Sequence, residues 1–188
     1  DAVRADFQRR EGVNLTYMPF FLQAVAAALK DNPLVNSSWG GDAIVLKRRI
    51  NIGVAIAAPQ GLVVPVIHNA YAMDVTALTR AVDDLATRAR DGKLTVADMQ
   101  GGTFTVNNTG ALGSVVGKGI INHPQAAILN TEAIVRRPVV VGDAVAVRSM
   151  MNLCITFDHR ILDGAEAGAF MNAVKDRLEA LDPDTAVV

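Results

Sequence analysis

The sequence has one cysteine in 188 residues, so no disulfide can form within the chain. A chain without internal disulfides fits a reducing compartment, and we expect a cytoplasmic location. The cysteine, Cys154, lies within an apolar segment, where a free thiol usually behaves as a small buried hydrophobic side chain. We expect Cys154 to be buried and to have no chemical role.

Aromatic residues are scarce, and neither sign of charge is in excess. Only 5% of the residues are aromatic although 51% are hydrophobic, so the core must be built mainly from aliphatic side chains. Eighteen basic and 19 acidic residues leave a formal net charge of -1, which gives no electrostatic reason to expect nucleic acid or a membrane surface as a partner. We find no apolar run of membrane-spanning length and no signal peptide at the start.

Apolar periodicity and capping signals predict three helices and five or six strands. The helices are expected at residues 18–30, 75–90 and 165–181. The strands are expected at residues 43–58, 62–67, 102–106, 126–135 and 144–157, with a hairpin turn at 59–61.

Several of these strands are apolar on both faces, and such a sheet must be covered on both sides by helices or by another subunit. We therefore expect a single mixed α/β (α+β) domain over residues 1–188. Residues 1–10 resemble the middle of a helix that lacks a cap, so we expect the sequence to be a piece of a longer protein.

The segment FDHRILDG, residues 157–164, is the most informative part of the chain. It follows a strand-like run and precedes a helical run, so His159 stands at a strand end and Asp163 stands where the helix begins. A strand end holds a side chain more rigidly than a loop does, and imidazole exchanges protons near neutral pH. The position of His159 predicts a general base.

Asp163 has a second interpretation as the N-cap of the last helix, where its carboxylate would accept an otherwise unpaired backbone N–H. The two interpretations are compatible. A carboxylate that fixes the turn after His159 assists catalysis even if it never touches the transferred proton.

Other chemistries lack their motifs. His68, His123 and His159 are far apart, and no Cys/His pair has metal-ligand spacing, so we expect no metal site. The Gly-x-Ser-x-Gly elbow of serine hydrolases and the phosphate-binding loop are absent. We interpret His68 and His123 as surface or structural residues.

The segment 157–164 matches the Asp-His-Arg-x-x-Asp-Gly signature of the dihydrolipoamide acyltransferases, which form the cores of 2-oxo acid dehydrogenase complexes. Four further segments resemble the family in family order: residues 15–21, 51–55, 61–67 and 101–106. The resemblance as a whole extends over essentially the entire chain. The chain is therefore identified by resemblance as the catalytic domain of such an enzyme.

This resemblance implies the fold of chloramphenicol acetyltransferase, a mixed sheet covered by helices, in trimers with active sites at the subunit interfaces. It also implies that the domain lacks a few dozen residues at its N-terminal side. The lipoyl domain, with its lipoyl group, and the subunit-binding domain would lie outside this sequence. A cubic or icosahedral core, a 2-oxo acid decarboxylase and a dihydrolipoamide dehydrogenase are the implied partners, and the mitochondrial matrix is the implied location in a eukaryote.

The implied reaction transfers an acyl group from S-acyldihydrolipoyl-lysine to coenzyme A, with His159 as the base on the coenzyme A thiol. Many members carry Ser or Thr as oxyanion donor where this chain has Asn107. An amide NH₂ is also a donor, but asparagine equally stabilises turns, so both roles stay open. The resemblance implies Thr16 and Asn108 as coenzyme A neighbours.

Two alternatives differ in class. Some relatives keep the fold as a catalytically silent structural core or subunit-binding component, but such proteins tend to lose the histidine that this chain retains. The second alternative is an acyltransferase that uses another acceptor, such as an antibiotic hydroxyl. The acyl group stays open, although residues 107–110 favour a branched-chain or pyruvate member.

Overall fold

The structure, a computed structural model, describes residues 3–182 of the chain. Four α-helices form within them: α1 (Arg4–Glu11), α2 (Met18–Asp31), α3 (Val75–Arg90) and α4 (Gly164–Glu179). The strands are β1 (Ser37–Trp39), β2 (Ile44–Leu46), β3 (Ile52–Val54), β4 (Ile56–Ala58), β5 (Gly61–Val63), β6 (Val66–Ile67), β7 (Phe104–Asn108), β8 (Ala127–Thr131), β9 (Val135–Val141), β10 (Ala144–Met150) and β11 (Leu153–Phe157).

The helix boundaries follow local signals. α3 begins where the Asp74 carboxylate accepts the Ala77 backbone N–H at 2.7 Å, and its bounds agree with the predicted 75–90. α2 has Pro19 in its first turn, where a missing N–H costs no helical bond. The helices predicted at 18–30 and 165–181 are confirmed to within two residues. None of the helices within residues 3–182 is long and apolar enough to cross a membrane.

Five strands form the main sheet, in the order β11–β8–β7–β3–β6. β3, β7 and β8 run parallel, whereas β11 pairs antiparallel with β8 and β6 pairs antiparallel with β3. A sheet with both kinds of pairing confirms the predicted mixed α/β (α+β) class. Pro65 directly precedes the edge strand β6, and proline in a sheet is confined to edge strands and gaps in the ladder.

The core lies between one face of the main sheet and the helices α2, α3 and α4. Val106 of β7 and Leu129 of β8 are fully buried on this face. The next residue in each strand, Asn107 and Asn130, therefore points to the opposite face, because side chains alternate along a strand. The main sheet thus separates an aliphatic core from a polar face that carries Asn107.

Four of the predicted strands are wrong in extent. The run 62–67 contains two strands, β5 and β6, which are separated by residues 64–65. The run 43–58 contains three strands, because the charged residues 47–49 interrupt the apolar pattern and β2 pairs with β1 instead. The run 126–135 ends at Thr131. The run 144–157 breaks at Asn152, whose backbone carbonyl accepts the Glu132 N–H and whose side-chain amide donates to the Val115 carbonyl at 2.7 Å. These two bonds turn the chain from β10 into β11.

Two other predictions hold with adjusted bounds. The hairpin predicted across 59–61 is confirmed by the antiparallel pairing of β4 with β5. The strand expected at 102–106 is β7, which starts later and ends at Asn108. Asn107 and Asn108 are therefore strand residues. The loop that contains Gly110 and Gly113 begins only after them.

β9 and β10 form a two-stranded ribbon that is separate from the main sheet. Four of its valines are exposed, and the side chains of Val140 and Val145 are among the most exposed apolar groups of the described residues. Such a ribbon is marginally stable alone in water, and contiguous exposed apolar residues mark a contact surface. The sequence patterns do not predict this ribbon.

β11 is an edge strand of the main sheet, and each of its residues is half-buried. Cys154 is therefore half-buried, and the expectation that its thiol is buried is wrong, because β11 lies at the edge of the sheet. An open apolar trough of about 920 Å³ runs beside this edge, and Phe21, Cys154, Met171 and Leu178 are among its lining residues.

Replacing Leu78 by Ala is expected to lower the free energy of unfolding by about 2–5 kcal/mol, because it opens a cavity in the core. The Leu78 side chain is fully buried on the inner face of α3. Asp83→Ala, on the exposed face of the same helix, is the matched control and is expected to change stability by less than about 0.5 kcal/mol. Urea unfolding of both variants checks the prediction, and equal losses would contradict it.

Candidate active site

A tight turn follows β11 and carries His159. The Asp158 backbone N–H donates to the Ala126 carbonyl at 2.8 Å, and the N–H groups of Ile161 and Leu162 both donate to the Asp158 carbonyl. The side chains of Ile161 and Leu162 are buried in the core. The turn is therefore fixed on its inner side, and His159 projects outward from it.

His159 and Asp163 lie together, as the sequence predicts. Nδ1 of His159 lies 3.2 Å from Oδ1 of Asp163, and the two side chains are 73% and 77% exposed. The imidazole also packs on the Phe157 ring, with centroids 5.3 Å apart. A carboxylate beside Nδ1 favours the tautomer that carries its proton there, which leaves Nε2 as the proton acceptor. The arrangement is that of an oriented base on an open surface.

Asp163 occupies the N-cap position of α4, where its second interpretation placed it. The Glu166 carboxylate returns to accept the Asp163 backbone N–H at 3.0 Å, the reciprocal bond of a capping box. Asp163 therefore joins the start of α4 to the imidazole of His159. One residue serves helix formation and side-chain orientation together.

The residues on either side of His159 form an ion pair. Arg160 donates from Nε and Nη2 to the two oxygens of the Asp158 carboxylate, at 3.0 and 2.6 Å. The Arg160 guanidinium holds the pKa of Asp158 below its ordinary value, with a smaller contribution from His123. Asp158 is therefore an anion at neutral pH, and the pair is intact under physiological conditions.

The two asparagines at the end of β7 have different surroundings. Oδ1 of Asn108 accepts the Ala111 backbone N–H at 3.2 Å and so holds the turn that follows the strand. Asn107 is half-buried, and its side-chain amide has no hydrogen bond to any residue within 3–182. The turn-holding role left open for Asn107 thus falls to Asn108, and the Asn107 amide is free to donate.

A buried carboxylate fixes the loop after these asparagines, and the sequence analysis missed it. Glu132 is 3% exposed, and its Oε2 accepts the Thr109 hydroxyl at 2.9 Å. Gly110 lies so close to the Glu132 carbonyl that a Cβ would come within 2.3 Å of its oxygen, so only glycine fits there. An acidic residue directly after the apolar strand 126–131 is the signal that could have drawn attention to Glu132.

One chain does not bring Asn107 and His159 together. The register pairs Asn107 with Asn130 and Asn130 with Cys154, whereas Phe157 pairs with Ala127. Asn107 is therefore separated from Phe157 by two strand spacings across the sheet and by three residues in the strand direction. These offsets place the two Cα atoms about 14 Å apart. His159 lies two residues beyond Phe157 in the chain. The candidate base and the candidate oxyanion donor stand at opposite ends of the sheet.

Within residues 3–182, no hydrogen bond or ion pair joins the remaining candidates to His159 or Asn107, although His123 is close enough to Asp158 to lower its pKa. Thr16 is exposed in the loop before α2. His68 and His123 are exposed, as predicted for surface residues. In the part of the chain that the structure describes, no group of three or more His, Cys, Asp or Glu side chains is placed to hold a metal ion.

Comparison with known proteins identifies the family. The model of the 2-oxoacid dehydrogenases acyltransferase (catalytic domain) family matches residues 1–188. The lipoamide acyltransferase component of the branched-chain alpha-keto acid dehydrogenase complex of Bacillus subtilis is 52% identical over 188 residues, which are 100% of this chain and 44% of that protein. The chain therefore belongs to the 2-oxoacid dehydrogenase acyltransferase family, and it spans less than half the length of this relative.

Solved structures agree with this assignment. A probable dihydrolipoamide acetyltransferase from Listeria monocytogenes superposes with a TM-score of 0.96 at 53% identity, over 98% of this chain and 79% of that one. The dihydrolipoamide acetyltransferase of Azotobacter vinelandii gives 0.91 at 35% identity, over 95% and 76%. The cubic core of a pyruvate dehydrogenase multienzyme complex gives 0.91 at 36% identity, over 95% and 76%.

Chloramphenicol acetyltransferase shares the fold, with a TM-score of 0.56 at 18% identity over 93% of this chain and 82% of that one. This similarity confirms the fold that the sequence motifs predict.

Replacing Asp163 by Ala is expected to lower the free energy of unfolding by about 1 kcal/mol, because α4 loses its N-cap. Asp163→Asn retains a good capping side chain and is the matched control, with stability close to that of the parent. Thermal and urea unfolding measure both variants. Unchanged stability in Asp163→Ala would show that the capping interaction contributes nothing to α4.

Proposed function

We propose that this domain transfers an acyl group from S-acyldihydrolipoyl-lysine to coenzyme A, as part of a 2-oxo acid dehydrogenase complex. One observation carries the proposal: His159 stands at a rigid strand end with Nδ1 3.2 Å from the Asp163 carboxylate. This contact orients the imidazole and leaves Nε2 as the nitrogen that can accept the proton of a substrate thiol.

His159 supplies the base that the reaction needs. A thiol with a pKa near 8.5 is mostly protonated at neutral pH, and only the thiolate attacks efficiently. Nε2 of His159 takes the proton of the coenzyme A thiol, and the thiolate sulfur attacks the thioester carbonyl carbon of the acyl-lipoyl group. The Asn107 amide donates to the resulting oxyanion. The carbon–sulfur bond to the dihydrolipoyl group then breaks, and His159 returns the proton to the leaving thiolate.

The Azotobacter vinelandii structure supports these assignments through the spacing of its residues. That structure belongs to an investigation of a serine, a histidine and an asparagine in the catalytic mechanism, with the serine 52 positions before the histidine and the asparagine four positions after it. Asn107 and Asp163 stand at the same separations from His159 in this chain. We assign Asn107 as oxyanion donor and Asp163 as the orienting group on that basis.

We further propose that the site forms between subunits of a homotrimer. About 14 Å of sheet separates Asn107 from the strand end that carries His159, so a second copy of the chain must supply one of the two. The exposed valines of the β9–β10 ribbon provide apolar surface of the kind that assembly covers. The similarity to the cubic core favours a larger assembly of such trimers.

The proposal extends to the wider complex. The domain would work with a 2-oxo acid decarboxylase, a dihydrolipoamide dehydrogenase and lipoyl groups carried outside this sequence, in the cytoplasm or in the mitochondrial matrix of a eukaryote. Thr16 and Asn108 remain proposed coenzyme A neighbours. The Bacillus subtilis relative is named for a branched-chain complex, which favours a branched-chain acyl group. Comparing transfer of isobutyryl, acetyl and succinyl groups tests this preference.

Replacing His159 by Ala is expected to lower kcat roughly 10²–10⁴-fold while the fold is kept, because general-base assistance contributes about that much. His68→Ala, a change at another exposed histidine, is the matched control and should retain parent activity. Transfer between acyl-CoA and free dihydrolipoamide gives the rates. Near-parent turnover in His159→Ala would remove the residue from the mechanism, and inactivity of the parent with every donor would favour a silent structural component.

Mixing two inactive variants tests the shared site. His159→Ala and Asn107→Ala assemblies should each be poorly active, since loss of one oxyanion donor costs about 10²–10³-fold. In a closed trimer each subunit gives His159 to one neighbour and Asn107 to the other. Random co-assembly at equal ratio therefore restores about a quarter of the sites, and activity should return to that fraction of the parent.

Activity that stays at the level of the two separate variants would place the site within one subunit or remove Asn107 from it. Full activity of Asn107→Ala alone would show that its amide has no part in the reaction. Native mass spectrometry confirms that mixed trimers have formed before rates are compared.

A further inference from the structure

The only tryptophan of the chain lies beside the turn that carries His159. Trp39 is the last residue of β1 and packs half-buried against the core. The Arg160 guanidinium carbon sits over its ring, 5.4 Å from the centroid, within the range of a cation–π contact. This contact joins two segments that are 121 residues apart in the sequence.

Arg160 is held from a second side by Asp158. Its Nε and Nη2 donate to both carboxylate oxygens, and its own backbone N–H donates to Asp158 Oδ1 at 3.0 Å. The Asp158 side chain is mostly buried, with 18% exposure, whereas that of Arg160 is 60% exposed. The Trp39 ring therefore covers part of a guanidinium that would otherwise be free to move on the surface.

His159 is the residue between these two partners. The turn is anchored inside by the buried side chains of Ile161 and Leu162, and outside by Arg160 against Trp39. The imidazole itself is largely exposed, and it contacts the Phe157 ring and the Asp163 carboxylate. Its direction therefore depends on how firmly the backbone on both sides is held.

We propose that Trp39 is a positioning residue for His159, which acts through the Arg160 guanidinium and the Asp158 carboxylate. The inference rests on the proposed role of His159 as general base. Trp39 and Arg160 touch no reacting atom in this scheme. They set the orientation of the turn, and misplacement of a catalytic group by a fraction of an ångström to 1 Å costs up to about 10²-fold in rate.

The first test compares two changes at one position in the complete assembled enzyme. Trp39→Phe keeps an aromatic face for Arg160, and it is expected to retain most of the activity. Trp39→Leu removes that face but keeps an apolar side chain, and it is expected to lower kcat roughly tenfold with unchanged KM for coenzyme A and dihydrolipoamide. A rise in KM with unchanged kcat would overturn the proposal.

The chain offers a matched control in a second cation–π contact. Nζ of Lys30 lies 4.3 Å from the Tyr71 ring centroid, on a part of the surface that the described contacts do not connect to His159. Tyr71→Leu is expected to leave kcat unchanged. If Tyr71→Leu and Trp39→Leu lower kcat equally, the effect is general destabilisation and positioning by Trp39 is refuted.

A double-variant cycle separates positioning from simple support of the fold. Arg160→Lys keeps the charge but loses the planar fork and the stacked plane, so it is expected to lower kcat about as far as Trp39→Leu. If both act on His159 through one contact, the double variant should be no slower than either single variant. If the fold-loss in kcat of the double variant equals the product of the two single losses, the two residues act independently, and this result would overturn the proposal.

The readouts keep this inference distinct from the proposed function. If Trp39→Leu does not fold, the Arg160→Lys variant still decides the matter, because its folded state can be followed by the fluorescence of Trp39, the only tryptophan. A folded Arg160→Lys enzyme with parent kcat overturns the positioning role while His159 catalysis stands. An active enzyme whose rate does not depend on His159 overturns the proposed function itself.

Discussion

The antiparallel pairing of β11 with β8 is the constraint on which the rest of the site depends. It fixes His159 at one end of the main sheet, while the parallel pairing of β8 with β7 fixes Asn107 towards the other. A shift of register by one residue would turn every side chain of β11 to the opposite face. The separation of base and donor is therefore a property of the sheet, and in the proposed trimer a second copy of the chain would close it.

A short stretch of sequence performs several structural tasks around His159. The Asp158 backbone N–H donates to the Ala126 carbonyl at the end of the strand, and the Asp158 carboxylate accepts hydrogen bonds from the Arg160 guanidinium. Asp163 begins α4 and lies beside the imidazole. Because each residue that flanks His159 is tied to a strand, a helix or the core, little freedom is left to the backbone that carries it. An exposed side chain can thus be directed without being buried.

The sequence predicts well those features that depend on neighbouring residues in the chain. It misses features that depend on contacts between distant segments. The bounds of α3, with Asp74 as its cap, follow from signals within one or two turns of helix. The long strands fail because a break such as the one at Asn152 depends on partners elsewhere, here Val115 and Glu132. The contact of Trp39 with Arg160 likewise joins distant segments, so no periodicity or short motif predicts it. His159 is predictable because its motif is contiguous.

The exposure of His159 bears on how the domain must work. An imidazole that is 73% exposed is surrounded by water, where a developing oxyanion gains little from any single donor. Hydrogen bonds to that oxyanion become strong only where water is excluded and the donors are already in place. Covering the surface with a neighbouring copy would exclude water and deliver the Asn107 amide in the same step. In the proposed trimer, assembly would then supply both the missing group and the environment in which that group is effective.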